Sequence, residues 1–63
     1  MLIRLTRVEG SETQKILVNP LHIQFAEPYQ DQNIFDGSII HMIHQYFHVK
    51  ENLEEINMKI DFP

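Results

Sequence analysis

Residues Ser38 to Val49 read Ser-Ile-Ile-His-Met-Ile-His-Gln-Tyr-Phe-His-Val, and the fold turns on how this stretch is read. Wound as a helix, it places Ile39, Ile40, Met42, Ile43, Tyr46, Phe47 and Val49 on one half of the wheel. His41, His44, Gln45 and His48 then fill the other half. Laid out as a hairpin, Ile39 to Ile43 and Tyr46 to Lys50 become two strands around a His44-Gln45 turn. The β-branched and aromatic content suits strands, although His-Gln lacks the positive-φ residues a two-residue turn prefers. Taken alone, the segment leans slightly toward the helix.

The flanking sequence is easier to read. Leu2 to Val8 is a strand candidate, with Ile3 and Leu5 on one side and Arg4 and Thr6 on the other. Gly10-Ser11-Glu12 is a turn. Ile16 to Asn19 is a short strand that must end or bulge at Pro20, which has no N–H for a ladder. Leu21, Ile23 and Phe25 alternate with His22, Gln24 and Ala26 as in a strand, which Pro28 is expected to stop. Tyr29 to Gly37 reads as a long polar connection carrying Ile34 and Phe35. Near the end, Asn52 and Glu55 have capping-box spacing. Leu53, Ile56 and Ile60 share a helical face, giving a short helix from about Leu53 to Ile60.

Length and composition bound the function. The 63 residues make one small β-rich domain, residues 1–63. Such a chain buries only about 60% of its unfolded surface, and its core supplies roughly 3–5 kcal/mol. With no cysteine, the staples left are a histidine metal site or oligomerisation, and a homo-oligomer, dimer or higher, is expected. Ile39, Ile40, Met42, Ile43 and Phe47 cannot all be buried inside one thin sheet, which points the same way and makes Phe47 an interaction candidate. Five basic against nine acidic residues give −4, a balance that disfavours nucleic acid. No apolar run is long enough to span a bilayer and no signal-peptide pattern is present, so the expected location is cytoplasmic, with no membrane insertion.

Chemistry-bearing residues are few. His41 and His48 would lie opposite each other in a hairpin with a His44-Gln45 turn, and on one stripe in a helix. Either geometry makes them weak metal candidates, and without a third ligand any metal would be adventitious. Glu51, Glu54 and Glu55 fit the stabilising acidic start of a helix. Two glycines are too few for most phosphate loops, and no nucleophile–base order is present, so no catalytic residue, no cofactor and no enzyme activity are expected. Arg4, Thr6 and Arg7 form a local basic spot on the first strand. Read structurally, they belong to an edge or dimer-pairing strand whose arginines meet the acidic C-terminal helix. Tyr29, Ile34 and Phe35 in the 29–37 connection either plug the core or anchor a protein partner.

Three short motifs carry a resemblance. Ile3-x-Leu5-Thr6-Arg7-x-x-Gly10, Leu17-x-Asn19-Pro20 and Val49-Lys50-Glu51-x-x-Glu54-Glu55 together resemble the FlbD/SwrD family of small flagellar and swarming-motility proteins. The resemblance implies the hairpin reading of Ser38–Val49, with the Val-Lys-Glu tract a strand entering the last helix. It also implies a non-enzymatic accessory acting on motor output or swarming through protein contacts. The expected fold is α+β, a small antiparallel β-meander of about four to five short strands with one short C-terminal helix. Two other functions fit so short a chain. One is a phage- or mobile-element-encoded inhibitor, or a homo-oligomeric sponge for a small anionic, nucleotide-signal ligand. The other is an RNA-binding regulator, because the Leu-Thr-Arg opening is similar to the first strand of the CsrA family.

Overall fold

The computed structural model describes residues 1–31 and 34–61, with the backbone alone at 34 and 35. Five strands and a helix follow in order: β1 (Ile3–Glu9), β2 (Glu12–Val18), β3 (Phe25–Asp31), β4 (Ile34–His41), β5 (Tyr46–Val49) and α1 (Leu53–Asp61). The strands form one antiparallel sheet in the order β2-β1-β5-β4-β3. This is the expected α+β meander with a C-terminal helix.

Local signals set several boundaries. Gly10 takes φ +60° and lets β1 turn into β2, so that Glu9 pairs with Glu12. Val18 ends β2 because Asn19 and Pro20 start a 3-10 turn over Pro20–His22. The Asn19 side chain accepts a hydrogen bond from the Leu21 N–H at 3.0 Å. Leu21 to Ile23 therefore forms no strand, contrary to its alternation; the connection runs from one sheet edge to the other before β3 begins at Phe25. At α1, the Glu55 N–H donates to Asn52 Oδ1 (2.8 Å) and the Asn52 N–H to Glu55 Oε1 (3.3 Å), which completes the capping box.

Two further expectations are corrected. Pro28 does not stop its strand and Tyr29 to Gly37 is no open connection, since β3 continues to Asp31 and pairs with β4 from Ile34. Proline is tolerated because β3 is an edge strand, where a missing N–H costs no ladder bond, and a bulge between Pro28 and Gln30 absorbs the irregularity. Ser38 to Val49 is a hairpin, as the resemblance implied, but its turn sits one residue early. The Met42 N–H donates to the Gln45 carbonyl (2.8 Å), leaving Ile43-His44 at the tip. His41 thus faces Tyr46, and His48 faces Ile39. The expected register pairs each residue with a partner two positions away and puts every side chain on the same face. Alternation alone cannot separate the two registers. In the observed register Gly37, at φ +80°, passes so close to β5 that a Cβ there would run into the Val49 carbonyl.

The core lies on one face. Ile3, Leu5, Val18, Ile40 and Val49 of the sheet and Ile56 of α1 are buried, with Ile16, Ile23, Ala26, Met42 and Phe47 packed around them. Among the described residues no helix is long and apolar enough to cross a membrane.

Candidate interaction surface

Partners in an antiparallel register share a face, and neighbours along a strand alternate. The registers therefore place Thr13, Val8, His48, Ile39 and Glu27 in one row across the outer face. Tyr46, His41 and Phe25 form the next row. The rings in these rows stack. Phe25 and His41 lie 4.1 Å apart between centroids at 12°, and Tyr46 continues the stack at 5.7 Å from His41. Tyr29, two positions on from Glu27 and so on the same face, stacks on His48 at 4.1 Å and 23°. Polar contacts fix both imidazoles: His41 Nε2 is 3.0 Å from Glu27 Oε2, and His48 Nε2 lies 2.6 Å from the Asp36 carbonyl, to which it donates. Phe25 and Tyr46 are 53% and 71% exposed, so the ladder presents aromatic surface to its surroundings.

A charged network flanks this surface. β1 loses its β5 partner after Lys50, whose N–H donates to the Thr6 carbonyl. The Glu51 carboxylate takes over, accepting the Thr6 N–H at 2.8 Å and the Thr6 hydroxyl at 3.0 Å. Lys15 Nζ donates to the same hydroxyl oxygen at 2.8 Å. Partial burial pushes the Glu51 pKa up, but the Thr6 hydrogen bonds and the Lys15 charge outweigh it and hold the carboxyl below the ordinary glutamate value. The Ser38 hydroxyl donates to the Glu51 carbonyl at 2.9 Å, tying β4 to the same corner.

The residues singled out in the sequence scatter over this frame. Arg4 is exposed on the outer face opposite Leu17, and Tyr29 is in the ring stack. Thr6 is buried in the Glu51 network. Arg7 lies on the inner face opposite Val49 and pairs with Glu9 at 2.8 Å; neither it nor the rest of β1 meets the acidic helix by a salt bridge among the described residues. β1 is an interior strand, not an edge, because β2 and β5 flank it. Phe47 packs against the core. The Ile34 and Phe35 side chains lie outside the described residues. His41 and His48 sit diagonally on one face, each held by its own ring and oxygen partner. Among the described residues no group of three or more acidic, histidine or cysteine side chains is placed to hold a metal. Sequence reasoning missed Phe25, Tyr46 and the His–ring stacking, although Phe25 and Tyr29, four apart in β3, and Tyr46 and His48, two apart in β5, carried the signal of rings sharing one face. No family model, curated protein or solved structure matches the chain.

Proposed function

We propose that this chain is a non-enzymatic protein-interaction module that docks a partner on the ring-bearing outer face of its sheet, as a motility accessory of the FlbD/SwrD type. The observation that carries the reading is the Phe25–His41–Tyr46 stack beside Tyr29–His48, an exposed aromatic ladder on a sheet whose other face is filled by the core. Aromatic anchors on a rigid support are the usual centres of protein interfaces. The partner that fits presents apolar or aromatic side chains, since the central ladder carries no formal charge except the Glu27 bound to His41. The three family-like motifs supply the motility assignment. Deleting the gene in its host and complementing with wild type or with Phe25→Ala/Tyr46→Ala tests it. Swarming or flagellar swimming is expected to fall on deletion, return with wild type and stay low with the double variant at unchanged melting temperature. Motility unaffected by deletion refutes the assignment.

A second reading rests on Arg4 and Lys15, which share the outer face with the rings. Bases stacked on the rings, with phosphates reaching these cations farther along the same face, would suit a single-stranded nucleic acid. The net charge of −4 opposes it. Salt-dependent binding of a labelled oligonucleotide, lost in Tyr46→Ala, would favour this reading over the first.

A further inference from the structure

Among the described residues, the large apolar side chains left exposed fall into three groups. Met1, Leu2 and Leu17 lie near Arg4 at the β1–β2 side, where Leu17 and Arg4 are direct partners. Leu53, Met58 and Ile60 on α1 are interleaved with Glu54, Glu55, Lys59 and Asp61. The third group differs in shape and in charge. Leu21 (88% exposed) and Ile43 (70% exposed) stand on opposite walls of a cleft of about 400 Å³. One wall is the connection from Leu21 to Gln24, the other the β4–β5 turn from Met42 to Gln45. Phe25 and Tyr46 are the next residues along each wall.

Both walls come from charge-free sequence. Neither Ile16 to Ala26 nor Gly37 to Val49 contains an Asp, Glu, Lys or Arg, so all five basic and nine acidic residues lie elsewhere. We propose that a second copy of this chain docks at this cleft, in a two-fold dimer in which Leu21 and Ile43 of each copy fill the cleft of the other. Charge favours this occupant. Two copies at −4 repel, and the repulsion is least where both surfaces carry no formal charge. Shape favours it as well. A two-fold contact must be self-complementary, and here projecting apolar side chains and the hollow that receives them belong to one patch. The core supplies the third argument. Only six apolar residues are buried among the described residues, in a chain without a disulfide, and chains of this size usually need a staple.

This dimer goes beyond the reading of the outer face, and Leu21 and Ile43 are not members of the ring ladder, so either can fail without the other. Light scattering after size exclusion at about 10–100 μM tests it, a range in which an interface of moderate affinity is populated. Wild type is expected at twice the 7.5 kDa chain mass. Leu21→Asp and Ile43→Asp are each expected to weaken association at least 100-fold, while Met58→Asp on α1 remains dimeric. A monomeric wild type overturns the proposal, as does a dimer that survives both cleft variants or is broken by Met58→Asp. Should an aspartate variant fail to fold, Leu21→Ser and Ile43→Ser give the same test through melting. The wild-type melting temperature is expected to rise with protein concentration and that of the serine variants much less. A concentration-independent wild-type melting temperature also overturns it.

Discussion

Gly37→Ala probes the close approach of β4 to β5. Gly37 has φ +80°, and a Cβ built there falls 2.0 Å from the Val49 carbonyl oxygen and 3.0 Å from both the Val49 carbonyl carbon and the Lys50 oxygen. The left-handed backbone costs an L-residue about 1–2 kcal/mol. The clash is with backbone, so relieving it means moving β4 off β5, against the Ser38–Glu51 and His48–Asp36 hydrogen bonds. Overpacking of that kind costs about 1–3 kcal/mol more. The total, about 2–5 kcal/mol, compares with a whole stability of about 3–9 kcal/mol for a chain this long. Gly10→Ala is the control, because its φ is +60° but nothing lies within 4 Å of the added carbon. It should lose only the backbone cost, about 1–2 kcal/mol. Urea unfolding followed by circular dichroism measures both. Equal midpoints for the two variants would refute the steric account and leave only backbone conformation.

Glu51→Gln removes the charge that receives Thr6 and faces Lys15, and is expected to cost about 1 kcal/mol at neutral pH, a figure kept low because the group is partly exposed. The folded carboxyl titrates below the unfolded one, so this contribution is present above the ordinary glutamate pKa and disappears as pH falls through the folded value. Wild type and Glu51→Gln should therefore converge on acidification, as read by urea midpoints across pH 2 to 7, a range chosen to bracket ordinary carboxylate titration; a constant gap contradicts the linkage. Asn52→Ala breaks the capping box and should cost about 1 kcal/mol of stability with the sheet intact. Amide exchange should then quicken first in α1, and uniform quickening would argue that the helix does not open separately.

What the sequence made legible was local. The Gly10 turn, the end of β2 before Asn19-Pro20 and the Asn52–Glu55 cap each depend on residues within four positions of one another. Long-range partners decided the rest. Pro28 reads as a stop until β3 is known to be an edge. Ser38–Val49 fits a helical wheel, and the strand prevails because β4 finds partners on both sides, with Ile40 between Ala26 and Phe47. Thr6 reads as a surface contact residue until Glu51, 45 positions away, is seen to replace the missing ladder partner. The ring ladder was hidden for a similar reason: His41, Phe25 and Tyr46 come from three strands, and only the register stacks them.

The central claim is that the outer face receives a partner protein, and site-specific photo-crosslinking in the host tests it most directly. A benzophenone side chain replaces Tyr46, which is exposed on the ladder, or Met58, which is exposed on α1. The account predicts a discrete product from position 46, of a mass other than a dimer of this chain, suppressed by Phe25→Ala in the same molecule and missing from position 58. A product from position 58 alone, or none from position 46 in cells that need the protein, would contradict it.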